Sequence, residues 1–283
     1  MTSNGVPGRD AAPNRSAGST GSDLAPEHIA RQLKTRWLGR DYRFYSSLDS
    51  TNSKLSALAT QGFAEGAVLL ADEQHRGRGR LGRTWIAATG ESLTFSILLK
   101  PTCAPAEMAP LALAVAVGVA VGIGEVVDLP LVLKWPNDLL CDGKKLAGIL
   151  IETSGDGKNL RHLIVGVGIN VNQSAFPEEL GGQASSLRLA TGKNQSRPEI
   201  LLAVLRGLEK WIDLWRGLGS APIIDAWLKY APWVGEEIEV KTSTGIECGV
   251  AVGLNPTGAL ILEDGLGHRR EIHSGDVTLI GSV

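Results

Sequence analysis

RGRGRLGRTW, Arg76 to Trp85, decides the fold because it admits two incompatible readings. Gly77-Arg78-Gly79-Arg80-Leu81-Gly82 satisfies G-x-G-x-x-G, the dinucleotide fingerprint. That fingerprint needs a strand before it, a helix opening at it and an acidic residue about twenty positions on. A strand-type run, Ala67 to Ala71, does precede it. The next regular run, however, is Ser92 to Leu99 (SLTFSILL), rich in strand formers, and no acid stands between Ile97 and Thr102. The dinucleotide reading fails. There remain four arginines and three glycines within Arg76–Arg83. Each arginine offers a planar fork of donors suited to phosphate or carboxylate oxygens, and the glycines allow close backbone approach. Four like charges this close repel, so an anion is expected to complete the loop. A solvated basic loop or a nucleic-acid patch is the alternative that this stretch alone leaves open.

The 283 residues can bury a real core and suggest two domains. With 43% hydrophobic and 20% charged residues the composition is that of an ordinary soluble protein. A net charge of −2 argues against broad electrostatic binding of nucleic acid, which makes the arginine cluster a local feature. Cys103, Cys141 and Cys248 are odd in number, far apart and without metal-ligand spacing. They read as reduced thiols in a cytoplasmic protein. The histidines form no HExxH, and His268 and His273 read as surface strand residues.

Met1 to Ser22 is rich in Gly, Ser, Asn, Pro and Ala and is expected to be a disordered tail, not a signal peptide. Asp23 to Trp37 reads as a helix, Tyr42 to Tyr45 as a strand, and a helix runs through Leu55 and Leu58, capped by Ser50 or Thr51. Such a helix start also receives anionic groups. Ala109 to Val127 is strongly apolar but carries Pro110, three glycines and Glu125, so it reads as a buried helix on a sheet, not a membrane span. Leu131 to Leu133 is a strand that delivers Lys134 at its end, followed by the stiff turn Trp135-Pro136-Asn137-Asp138. A charge emerging from a buried strand needs a partner. Lys145–Glu152 and Leu163–Asn170 read as a hairpin turning near Asp156-Gly157. Gly148, Gly166 and Gly168 within these strands mark bulges or the close approach of a ligand. Arg197–Trp215 and Ile223–Tyr230 read as helices. From Val234 come five short strands (237–241, 246–253, 259–263, 269–272 and 277–280), the pattern of a small β-barrel.

No GxxxxGK[ST], GxSxG or Cys/His pairing is present, which removes P-loop and acyl-enzyme chemistry. An arginine-glycine loop, a strand-end lysine and a glycine-lined sheet suit a reaction that gathers anions, such as phosphoryl or nucleotidyl transfer. In this order, DSTN (Asp49–Asn52), QHRGRGRLGRTW (Gln74–Trp85), KWPNDLL (Lys134–Leu140), KLAGILIE (Lys145–Glu152) and GVGINVN (Gly166–Asn172) resemble the biotin protein ligases, and the likeness runs from Tyr42 to Val283.

The resemblance implies an α+β fold. A catalytic domain (23–232), a mixed sheet flanked by helices, would precede a small Src-homology-3-like barrel (233–283). It implies that biotin and MgATP give biotinyl-5′-AMP and pyrophosphate, after which a lysine of the biotin carboxyl carrier domain of a carboxylase takes the biotinyl group. By the same resemblance Ser50, Thr51 and Asn52 would line the biotin site with Gln74. Arg78, Gly79 and Arg80 would close over biotin and the adenylate, and Lys134 would contact the biotin carboxylate and α-phosphate. Arg83, Trp85, Asn137, Asp138 and Asn170 would neighbour the nucleotide or its Mg2+. Some members of the family carry an N-terminal winged-helix repressor domain. The forty residues leading into the first strand are too few for one, so ligase activity without DNA binding or transcriptional repression is expected. The rivals are a lipoate ligase, which should lack the arginine-glycine repeat, and a non-catalytic nucleic-acid-binding module.

Overall fold

The structure, a computed structural model, describes residues 22–100, 108–155, 160–180 and 182–279. Residues 1–21 of the expected tail, Cys103, the expected turn at Asp156-Gly157 and Ile280 lie outside them. Seven strands form a mixed sheet: β1 (Tyr42–Leu48), β2 (Val68–Gln74), β3 (Ser92–Leu99), β4 (Leu131–Lys134), β5 (Asp138–Cys141), β6 (Lys144–Gly155) and β7 (Leu160–Asn170). Their order is β1-β2-β3-β7-β6-β5-β4. Only β1 and β2 pair in parallel. The arginine stretch therefore lies between the antiparallel neighbours β2 and β3, where no dinucleotide helix could open.

Alternation along the strands separates two faces. Leu93, Phe95, Ile97 and Leu99 of β3 face the large core with α3 (Ala109–Gly124) and α5 (Arg197–Leu218). Leu98 of β3 and Ile164 of β7 face the other way, onto Leu55 and Leu58 of α2 (Thr51–Thr60). α3 is buried along nearly its whole length, as its composition predicts. Two of its glycines, Gly118 and Gly122, though, serve a helix rather than the sheet. A Cβ on Gly122 would stand 2.5 Å from Val204 Cα, and one on Gly207 would stand 2.2 Å from Gly118 O, so α3 and α5 touch backbone to backbone. Among the described residues no helix is long and apolar enough to cross a membrane.

Two readings of the sequence need correction. The helix expected over Asp23–Trp37 is confined to α1 (Pro26–Gln32). The chain leaves it because the buried carboxylate of Glu209 on α5 takes the backbone N–H groups of Arg36, Trp37 and Leu38 at 2.7–3.0 Å. Burial opposes the charge of Glu209, but these three donors and Arg36 outweigh it and hold its pKa below the ordinary value. The second correction is β5: the sequence reading put Asp138 in the turn after Lys134 and assigned no element to Leu139–Cys141. Asp138–Cys141 pairs with both β4 and β6, through a bulge at Leu139/Leu140.

The short helices α4 (Leu187–Thr191) and α6 (Ala221–Leu228) flank α5 in sequence. Beyond them lies a five-stranded, all-antiparallel sheet: β8 (Glu237–Lys241), β9 (Ile246–Leu254), β10 (Leu260–Glu263), β11 (Arg269–Ile272) and β12 (Asp276–Leu279), in the order β11-β10-β9-β8-β12. It is stitched to β4 and the turn after it. Trp233 Nε1 donates to Leu133 O at 2.7 Å, and Trp135 Nε1 donates to Gly258 O at 3.1 Å.

Candidate active site

Arg76–Trp85 folds into a narrow ribbon. Trp85 N–H donates to Gly77 O at 3.0 Å and Gly79 N–H to Arg83 O at 2.7 Å, with Arg80–Gly82 as the tip. The glycines have specific work here. A Cβ on Gly77 would meet Trp85 O at 2.4 Å, and Gly82 turns the tip at φ +74°. The anion expected to complete the loop comes from the chain itself. Arg78 donates to Glu152 Oε2 at 2.8 Å, and Arg83 pairs with Asp276 of β12. Arg80 donates to Asn137 Oδ1 at 3.0 Å and stands 3.9 Å from Asp276 Oδ1. Burial lowers the pKa of Arg80 against the pull of Asp276 and Asp138, yet a guanidinium stays charged at neutral pH.

The ribbon roofs a cleft of about 760 Å3 whose floor is β3, β7 and β6. The register explains the floor: Thr94 pairs with Gly168, which pairs with Gly148, and Ser96 pairs with Gly166, which pairs with Leu150. The close approach foreseen at these glycines is made by protein side chains. A Cβ on Gly168 would lie 2.3 Å from Trp85 Cε2, and one on Gly166 would lie 2.4 Å from Asn52 Oδ1. The Trp85 ring therefore lies against Gly168 and Gly148, with Lys145 Nζ 5.7 Å from its centroid.

Ser50 is the N-cap of α2. Thr51 N–H donates to Gln74 Oε1 at 2.7 Å, tying the helix start to the end of β2. Ser96 Oγ donates to Asn52 Oδ1 at 2.6 Å and lies 2.7 Å from Thr51 Oγ1. Across the cleft, Asn137 is held twice to β6, through Ile149 N–H at 3.0 Å and Ile149 O at 2.7 Å. Lys145 Nζ meets Asp138 Oδ1 at 2.7 Å. Lys134, half-buried at the end of β4, lines the cleft with no hydrogen-bond or ion-pair partner among the described residues. Of the cleft's five basic side chains (Arg78, Arg80, Arg83, Lys134 and Lys145), it is the one left without a counter-charge.

Residues 44–170 match the biotin/lipoate A/B protein ligase family, and residues 234–279 match the biotin protein ligase C-terminal domain. The bifunctional ligase/repressor BirA of Bacillus subtilis is 35% identical over 258 residues, covering 90% of this chain and 79% of its own. The biotin–[acetyl-CoA-carboxylase] ligase of Paracoccus denitrificans is 36% identical over 230 residues, covering 78% of this chain and 93% of its own. The chain belongs to the biotin protein ligases. Among solved structures, the biotin protein ligase from Aquifex aeolicus in complex with biotin and ATP aligns with a TM-score of 0.74 at 33% identity, over 84% of this chain and 98% of that one.

In this biotin protein ligase, Ser50, Thr51, Asn52, Gln74, Arg78, Gly79, Arg80, Arg83, Trp85, Lys134, Asn137, Asp138 and Asn170 all line the one cleft. Asn170 does so with its amide already engaged: it donates to Ser185 O at 3.0 Å and accepts from Gln173 at 3.2 Å. Sequence reading missed Thr94, whose hydroxyl is buried without a partner, although its alternation with Ser96 on β3 was a usable signal. It also missed Asp276, which lies 193 residues from its partner Arg83 and carried no local signal.

Proposed function

We propose that the cleft joins biotin to ATP as biotinyl-5′-AMP, and that the biotinyl group then passes to a lysine of a biotin carboxyl carrier domain. The observation that carries this reading is Lys134, an uncompensated ammonium on a rigid strand end, facing a cleft roofed by arginines. In the first step a biotin carboxylate oxygen attacks the α-phosphorus and pyrophosphate leaves. Two anions must meet, and fixed cations lower that barrier without having to reorganise. Lys134 takes the fixed role between the biotin carboxylate and the α-phosphate, while Arg78 and Arg80 act from the ribbon above. Ser50, Thr51, Asn52 and Gln74 offer polar groups to the ureido head of biotin, against an apolar, glycine-lined floor that suits its rings. Trp85, Arg83, Asn137 and Asn170 border the nucleotide. In the second step the neutral lysine amine attacks the biotinyl carbonyl, the acyl–phosphate C–O bond breaks, and AMP departs. A ribbon closed over the adenylate keeps water from it between the steps.

Mg2+ is read as entering with ATP. Among the described residues no three His, Cys, Asp or Glu side chains converge on one point, so it would be held chiefly by phosphate oxygens and water, with at most one or two cleft carboxylates such as Asp138. The test is pyrophosphate release from MgATP on adding biotin, lipoate or neither, followed by a streptavidin blot of a candidate carrier domain. Release with biotin alone and a labelled carrier is the expected result. Release with lipoate but not biotin would overturn the reading.

A further inference from the structure

Glu152 is the last residue of KLAGILIE and pairs with Ile164, two positions beyond Leu150 on the face of β6 that forms the cleft floor. It is not itself part of the cleft lining. One of its two carboxylate oxygens, Oε2, accepts from two residues that are: Asn52 Nδ2 at 2.7 Å and Arg78 at 2.8 Å. These lie 100 and 74 residues away, one in the first turn of a packed helix and the other in the ribbon. We propose that Glu152 is a positioning residue for biotin activation, orienting Asn52 and anchoring Arg78 through this one oxygen. The proposal rests on the ligase reading above and adds a residue to it.

The Asn52 amide is wedged between Ser96 and Glu152, with its oxygen 2.6 Å from Ser96 Oγ and no room for a side chain at position 166. Turned over, the amide would set its oxygen against the carboxylate oxygen 2.7 Å away, so the acceptor at 152 selects the orientation. The ribbon is also pulled from both sides. Arg83 and Arg80 lean to Asp276 of the C-terminal sheet, and Arg78 leans to Glu152 of β6, beside the first turn of α2. Arg78 and Glu152 are each well exposed, so their pair adds little to stability. Its effect is to fix where a cleft-lining guanidinium stands.

The test compares wild type, Glu152→Ala and Glu152→Gln as full chains, measuring pyrophosphate release against biotin and ATP concentration. Tryptic cleavage within Arg76–Arg83 is read in parallel and needs no activity. Glu152→Ala should raise the KM for biotin about tenfold or more, the scale of a lost charge-assisted hydrogen bond, and leave the KM for ATP within about twofold. Glu152→Gln keeps an acceptor for Asn52 but brings no charge to Arg78, so it should fall between. It should also add no further effect in an Arg78→Ala background. Ribbon cleavage should quicken in both variants. If Glu152→Ala does not fold, the isosteric Gln variant and its pairing with Arg78→Ala decide alone. A KM for biotin and a cleavage rate unchanged from wild type, or additive effects of Glu152→Gln and Arg78→Ala, would overturn the proposal. A wild type that forms no adenylate would sink the ligase reading instead, leaving the cleavage arm to judge the anchor.

Discussion

Lys134 and Glu209 show two opposite ways in which a charge is placed inside a fold. Lys134 faces a cleft without a partner, so it is held ready for a ligand and contributes little to packing. Lys134→Ala should therefore slow pyrophosphate release by about 10²–10³-fold, the scale of one electrostatic stabiliser, with an unchanged melting temperature. Near-normal release by the folded variant would remove Lys134 from the chemistry. Glu209 instead has its partners built in, three backbone donors that hold its pKa below the ordinary 4.5. Because the folded value lies below the unfolded one, the stability it gives is present above the unfolded pKa. That stability is lost as pH falls through the folded value. Glu209→Gln should thus cost about 1–3 kcal/mol at neutral pH, and the gap to wild type should narrow on acidification below about pH 4.5. Denaturant midpoints measured between pH 3 and 7 check this; a gap that widens in acid contradicts it.

At the scale of elements, the arginine ribbon is a roof held by ion pairs rather than by a core, with Leu81 at its tip 72% exposed. Segments with few buried contacts open at little cost, and a ligand that bridges roof and floor should close them. Trypsin should cut within Arg76–Arg83 rapidly in the free protein and at least several-fold more slowly with biotin and ATP. Equal rates would show that the ribbon does not respond to ligand. The floor is the rigid counterpart. Gly168→Ala would drive a methyl into Trp85, which can only move away, at a cost of about 1–3 kcal/mol. An altered tryptophan emission together with a lowered denaturation midpoint is expected; unchanged values would mean that the ring does not rest on Gly168.

Across the whole molecule, the two sheets share one hydrophobic core, in which Ile238, Val240, Ala251 and Leu260 of the C-terminal sheet join residues of α3 and α5. The tryptophan bonds from Trp135 and Trp233 and the reach of Asp276 to the ribbon reinforce that union. Calorimetry should accordingly show a single unfolding transition with matching calorimetric and van't Hoff enthalpies. Two resolved transitions would show that the sheets fold as separate units. The same union makes the cleft a product of both parts, since Asp276, Val277 and Thr278 border it.

How much of this was legible in the sequence depends on the range of the interactions involved. Local chemistry gave the strands around Arg76–Trp85, the buried α3, the N-cap at Ser50, the Lys134 strand end and the five short C-terminal strands. Alternation, capping and turn residues all act within a few positions. The quoted motifs named thirteen cleft residues that the fold does bring together. Tertiary structure decided what depends on distant partners. Glu209 ends α1 from more than 170 residues away by taking the N–H groups that a longer helix would have used. β5 exists because β4 and β6 flank it, not because Asp138–Cys141 favours a strand. Glycines in β6 and β7, open in the sequence to any close visitor, are occupied by Trp85 and Asn52 because the register sets them beneath those side chains. The counter-charges of the ribbon, Glu152 and Asp276, lie 74 and 193 residues from the arginines they meet. Coulomb pairing depends on distance in space, and only the folded chain sets that distance.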